Sequence, residues 1–236
     1  MCYSNSSTSS NIELSVQFNR KIPDGFPELT YFFASGYNFP KWRVITKDSE
    51  IQIMKWGLVP YWYKSQKEVI AKHTLNCRVE TLFEKPSFNN IAKNNRCIIP
   101  SSGFFEWQQI GNIKVPYFIF HPKGEIMSFA GLWDKNINCQ TGEEYLSFSI
   151  LTCEANEFLA KIHNFRKRMP LIIGAEISPE DWLCGKIELN LMVENTKSIK
   201  LSAHQVDKKL LLSQNSNCVG VQLPFTNNDS FQVQLF

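Results

Sequence analysis

A cysteine at position two is the feature of this 236-residue chain with the most distinctive chemistry. Small second residues permit loss of the initiator methionine, and loss of Met1 would leave Cys2 with a free α-amine beside its thiol. Amine and sulfur can then both add to one aldehyde carbon, first as a Schiff base and then as a closed five-membered thiazolidine. An internal cysteine cannot do this. With a pKa near 7.8, an α-amine is about 14% neutral at pH 7, against roughly 0.04% for a lysine near 10.4, so the terminus is the better nucleophile by hundreds-fold. The competing reading is an inconsequential cysteine leading into a polar tail, Ser4 to Ser10.

Three other positions could assist. Asn76-Cys77-Arg78-Val79-Glu80-Thr81 is a dense polar cluster ahead of Phe83 and Pro86, and equally an ordinary capped turn. Glu106 stands between Gly103-Phe104-Phe105 and Trp107. Buried there it would have a raised pKa and could donate a proton, whereas on an edge strand it would face solvent. His163 precedes the cations Arg166, Lys167 and Arg168. It is either a helix-end dipole partner or a general acid/base beside a phosphate-binding run. His73, His121 and His204 lack metal-ligand spacing and the glycines form no phosphate-cradling loop, so neither a metal nor a cofactor is expected. Of six tryptophans, Trp56 and Trp62 flank Gly57 to Pro60 and could stack bases or fill a core.

The elements that must position these residues are mostly strands. Runs at 31–33, 44–45, 51–59, 97–100, 103–110, 114–121, 125–133 and 145–152 are β-rich, with turn chemistry at Ile110-Gly111-Asn112, Pro122-Lys123-Gly124 and Thr141-Gly142. Leu14 and Phe18 predict a short first helix capped by Asn11. Ala155, Phe158, Leu159 and Ile162 line one face of another, and Ser178-Pro179-Glu180-Asp181 opens a third. Residues 4–10 look flexible. No linker or fixed-period repeat divides the chain, so the expectation is one α+β domain over 1–236, dominated by antiparallel sheet.

Composition sets the outer bounds. With 43% hydrophobic residues the chain can bury a large core, which excludes a disordered protein. No apolar run approaches the ~20 residues of a membrane span and no signal-peptide layout opens the chain, so a cytoplasmic protein with no membrane partner is expected. The seven cysteines, at 2, 77, 97, 139, 153, 184 and 218, read as free thiols. A net charge of +3 permits a nucleic-acid partner without requiring one.

Taken in order, these segments resemble the SRAP family, the SOS-response-associated peptidase or abasic-site processing proteins. The resemblance rests on Met1-Cys2, Trp56-Gly57-Leu58-Val59-Pro60-Tyr61-Trp62, the Asn76 to Thr81 cluster with Pro86-Ser87-Phe88, and Arg96 to Pro100 followed by Gly103 to Trp107. Ala130-Gly131-Leu132-Trp133, Thr152 to Asn156, and Ile162-His163 with Arg168-Met169-Pro170 complete it. It implies a single α+β domain around a small barrel-like sheet that traps abasic sites in single-stranded DNA as a covalent crosslink, in a DNA-damage response of SOS type. A monomer is expected, nucleoid-associated when on DNA, that removes its own Met1 and has weak lyase potential.

Carried over by position, Cys2 would be the nucleophile and Asn76 would hold the linkage. Glu106 would orient the amine and exchange protons, and His163 would act on the sugar ring oxygen; both tasks want groups titrating near neutrality. Arg78 and Arg168 match phosphate-contacting positions, Trp107 and Trp62 could support bases, and Arg166 and Lys167 add cationic grip. Two departures stand out. Five residues separate His163 from Arg168 where the shorter family pattern has two, and Tyr3-Ser4-Asn5 replaces the glycine and arginine often found after the cysteine. A thiol self-processing peptidase and a passive reader of single-stranded or modified DNA are the alternative readings.

Overall fold

In the computed structural model, which describes residues 2–138 and 140–226, the β-rich runs resolve into two sheets. In chain order the elements are β1 (Ser4–Ser7), α1 (Asn11–Phe18), β2 (Tyr31–Ser35), β3 (Lys41–Val44), β4 (Gln52–Trp56), α2 (Lys67–Ala71), β5 (Asn76–Arg78), β6 (Arg96–Ser101), β7 (Gly103–Ile110) and β8 (Ile113–Phe120). There follow β9 (Met127–Ile137), β10 (Glu144–Glu154), α3 (Glu157–Ile162), β11 (Arg168–Pro170), β12 (Ile172–Ile173), α4 (Pro179–Leu183), α5 (Leu189–Ser198), β13 (Ser202–Gln205) and α6 (Lys208–Leu211).

The smaller sheet runs β13-β8-β7-β1-β2. The larger runs β12-β9-β10-β4-β3, with β5 and β11 on β10 and β6 on β9. Pairing is mostly antiparallel, but β4 and β5 both run parallel to β10, which the alternation pattern did not reveal. The larger sheet does not close as a continuous barrel. Its edges approach at a single bridge, where Ile45 and Ile98 exchange backbone hydrogen bonds of 2.9 and 2.8 Å. The fold is one α+β domain.

Residues 4–10 do not form the flexible tail their composition suggests. Ser4–Ser7 is an interior strand, pairing with β2 through Asn5 opposite Ala34 and with β7 through Asn5 opposite Phe104. The small polar side chains fit because the oxygens of Asn5, Ser6 and Ser7 find partners, although the Asn5 side-chain nitrogen is buried without one. Ser101 Oγ donates to Asn5 Oδ1 at 2.6 Å, Ser6 Oγ donates to the Tyr31 carbonyl at 3.0 Å, and the buried Arg43 donates to Ser7 Oγ at 3.0 Å. Satisfied this way, buried hydroxyls no longer oppose folding. Ser10, rather than Asn11, caps α1, in a reciprocal box with Glu13.

The core between the layers is aromatic. Tyr31 stacks on Trp42 at 5.2 Å and Trp56 on Phe148 at 6.3 Å, while both indole N–H groups donate to carbonyls, Trp42 to Pro100 and Trp56 to Leu75. Trp56 is therefore core and not a base-stacking surface. The cysteines among the described residues are free; Cys139 lies outside them.

Gly131 shows how tightly the larger sheet is packed, since a Cβ there would overlap Ile99 Cδ1 and lie 2.7 Å from the Ser149 carbonyl. Gly131→Ala should lower stability by about 1–3 kcal/mol, read from urea denaturation. Amide exchange should show Ser4–Ser7 protected like the core strands, whereas rapid exchange across this stretch would mean that β1 is not held.

Candidate functional site

The pairing of β1 with β7 decides where the chain begins. Asn5 opposite Phe104 sends the residues before it alongside the end of β7 that carries Glu106, and the Gly36 amide donates to the Tyr3 carbonyl at 2.8 Å to hold them there. Cys2 is fully buried, its Sγ 3.9 Å from the Ser4 carbonyl. Glu106 is close enough for its charge to raise the Cys2 thiol pKa.

His163 arrives from a distant part of the chain. It is the residue after α3, whose Ile162 and Leu159 are buried, and β11 leads on from Arg168 into the larger sheet. Two polar contacts fix α3 and its following loop to β7: Gln108 donates to the Lys161 carbonyl at 2.9 Å, and the Asn164 side chain both accepts from the Gln109 amide and donates to the Gln109 carbonyl. His163 Nδ1 consequently lies 3.6 Å from Glu106 Oε1, with both side chains buried.

Burial disfavours the charged form of both groups. Burial raises Glu106 to about 8, opposed by a hydrogen bond from the Trp107 amide, so its carboxyl is largely protonated at pH 7. Burial lowers His163 to about 4, and the Arg166 and Arg168 cations push it the same way. His163 Nδ1 sits 2.9 Å from the Arg168 carbonyl, which can only accept. The proton therefore resides on Nδ1 and leaves Nε2 as a lone pair. The site thus holds a neutral acid beside a neutral base. Burial also lifts the Cys2 thiol far above its ordinary value, with the Glu106 charge adding.

Asn76 completes the arrangement from β5, in register with Ile150 of β10. Both atoms of its side-chain amide are buried without a hydrogen-bond partner. An unmade hydrogen bond of this kind costs about 1–3 kcal/mol, a cost that a bound ligand can remove. Tyr3 and Tyr37, with ring centroids 5.0 Å apart, form a shared wall. On one side is a cleft of about 720 Å³ lined by Glu106 and His163, and on the other a recess of about 410 Å³ lined by Asn76.

The remaining predicted residues divide. Trp107 and Arg166 line the larger cleft, and Arg78 is exposed beside a neighbouring recess that Asn76 also lines. Lys167 is exposed. Trp62 is 41% exposed but lines neither the cleft nor the Asn76 recess. Arg168 points inward: it makes a paired contact with Glu80 at 2.6 and 2.9 Å and donates to the Thr152 carbonyl and hydroxyl. Its guanidinium is committed within the protein, and its carbonyl orients His163. The cleft also contains Tyr3, Tyr37, Lys114, Phe165 and Lys208, which sequence reasoning did not select as site residues. Only Phe165 carried a local signal, as the residue next to the cationic run.

Known proteins resemble this chain over most of its length. The family model described as SOS response associated peptidase (SRAP) matches residues 1–211. The abasic site processing protein YoqW of Bacillus subtilis is 34% identical over 173 residues, 72% of this chain and 74% of that protein. The abasic site processing protein HMCES of Gallus gallus is 33% identical over 55% of this chain and 44% of its own length. A crystal structure of a Bacteroides thetaiotaomicron protein superimposes with a TM-score of 0.86 at 32% identity, over 95% of this chain and all of that one.

The shifted pKa values carry a stability signature for the Met1-retaining protein. Glu106 lies above its ordinary 4.5, so its contribution is complete below about pH 4.5 and is lost as pH rises through 8. His163 lies below its ordinary 6.5, so its contribution is complete above about pH 6.5 and is lost as pH falls through 4. The urea midpoint should therefore fall between pH 6.5 and 8.5, and Glu106→Gln should flatten that fall. A midpoint that rises across this window would contradict a buried, protonated Glu106.

Proposed function

The chain belongs to the SOS response associated peptidase family, and from that membership we propose that it processes abasic sites by covalent capture of the lesion in single-stranded DNA. What supports this reading is the buried Glu106–His163 pair beside a cleft, with Cys2 buried and near enough to Glu106 to feel its charge, together with an Asn76 amide whose buried donor and acceptor are both unmet.

Met1 must leave first. Cys2 nitrogen is an amide while Met1 is attached, and hydrolysis of that bond consumes one water and frees the amine. Abasic deoxyribose is mainly a closed hemiacetal, and its opening moves a proton from the 1′-hydroxyl to the ring oxygen. A neutral His163 Nε2 is suited to take the first proton and return it at the second position. The Cys2 amine then adds to the C1′ aldehyde, and the carbinolamine expels water with a proton supplied by the Glu106 carboxyl. The thiol adds to C1′ of the resulting Schiff base, its proton passing to nitrogen, and the new C–S bond closes the thiazolidine with net loss of one water.

Asn76 fits the linkage because its donor and its acceptor are both unmet. A Schiff base at C1′ also acidifies C2′, so slow β-elimination that nicks the strand competes when ring closure fails. Arg166, Lys114 and Lys208 around the cleft supply the charge for phosphates.

Protein confirmed by intact mass to have lost Met1 should form a denaturant-stable adduct with a uracil-containing single strand treated with uracil glycosylase. Cys2→Ala should abolish the adduct, and Glu106→Gln should slow its formation by about a hundredfold, the scale of one general acid. An adduct that survives Cys2→Ala, or salt-reversible binding alone, would overturn the covalent reading.

A further inference from the structure

The three residues by which His163 and Arg168 are spread apart form a rigid projection into the cleft. α3 stops at Ile162, residues 164–166 make a turn, and the Lys167 amide closes it by donating to the His163 carbonyl at 2.8 Å, with Lys167 itself at φ +49°. The two Asn164 hydrogen bonds to Gln109, of 2.9 and 2.8 Å, fasten the turn to β7. Phe165 at its tip is 76% exposed, and the Arg166 guanidinium lies 5.4 Å from its ring centroid.

An aromatic ring held out in water gains nothing from folding, since burial would be worth about 1.5–3 kcal/mol. Here the ring is presented on a pinned turn, beside a cation, on the wall of the same cleft as Glu106 and His163. A stacking face next to a positive charge is the composition of a single-strand platform. An abasic residue has no base of its own, so the flanking nucleotides offer the only base surface available. Phe165 follows His163 by two residues and lines the same cleft, a placement suited to the nucleotide next to one held at His163.

We propose that Phe165 determines flank specificity by stacking on the nucleobase adjoining the abasic sugar, with Arg166 taking the phosphate between them. The inference rests on the cleft being the DNA site. Purine flanks, with the larger ring face, are preferred.

Anisotropy binding to single strands carrying a tetrahydrofuran residue, which copies the abasic sugar without an aldehyde, tests this. The lesion is flanked either by adenines or by further tetrahydrofuran residues. The unaltered protein should bind the adenine-flanked strand about tenfold more tightly, the scale of one stacked base. Phe165→Ala should lose that preference and Phe165→Trp should keep it. Arg166→Ala should reduce the salt slope by about one phosphate contact while the preference remains. Equal binding of both strands by the unaltered protein, or a Phe165→Ala variant that still discriminates, overturns the inference. Because the probe cannot react, a preserved flank preference with no covalent adduct on a true abasic strand counts against covalent capture alone.

Discussion

Everything at this site depends on β1, the strand that follows Cys2, being paired on both edges. Termini ordinarily fray because few contacts hold them. Here β1 is paired on both edges, and its neighbour Cys2 is fully enclosed. Such a strand must carry side chains small enough for a crowded interior, and each polar atom brought in needs a partner. Ser7 is held by Arg43, which is itself buried against Asn11 and the more exposed Glu28. Removing Glu28 would leave the buried Arg43 charge without its carboxylate, which is far costlier than never having buried it. Order at the N-terminus is thus anchored thirty to forty residues away.

The enclosure of Cys2 bears on which order of steps the proposed capture would follow. A thiol whose pKa is driven far upward is a poor independent nucleophile, because the thiolate is the reactive form. That argues against a conventional cysteine peptidase, in which a histidine would withdraw the thiol proton. His163, its charged form disfavoured by burial and its Nδ1 bonded to the Arg168 carbonyl, is not arranged as such a base for a waiting ion pair. An amine-first sequence needs no thiolate at the start. In the proposed capture, the sulfur would enter only after the Schiff base had made C1′ electrophilic, and Glu106, its pKa raised by burial, would supply the proton that expels water.

Much of the fold is legible in the sequence because alternation and turn residues report local geometry directly. The β7 run, Gly103 to Ile110, matches the observed strand in both bounds. β1 is illegible for a physical reason: Ser-Asn-Ser-Ser has the composition of a disordered segment, and what makes it a strand is partners contributed by Ser101, Tyr31 and Arg43. Parallel pairing of β5 with β10 is hidden likewise, since a three-residue strand carries no period. Of the site, motif order brings out Cys2, Asn76, Glu106 and His163, whereas Tyr3, Tyr37, Lys114 and Lys208 become neighbours only through tertiary packing.

Arg166 and Arg168 show why adjacent cations cannot be assigned by composition. They are two residues apart, yet Arg168 begins a strand whose pairing with β10 turns its side chain toward Thr152 and Glu80, while Arg166 sits on the turn before it. A buried guanidinium with a paired carboxylate is stiff and already neutralised, so it is suited to hold the carbonyl that orients His163 and unsuited to gather a phosphate. An exposed guanidinium against a ring has the opposite properties. The longer separation of His163 from Arg168 is what allows both to coexist. It leaves the orienting arginine in the sheet and creates, on the cleft wall, a separate position for an exposed cation.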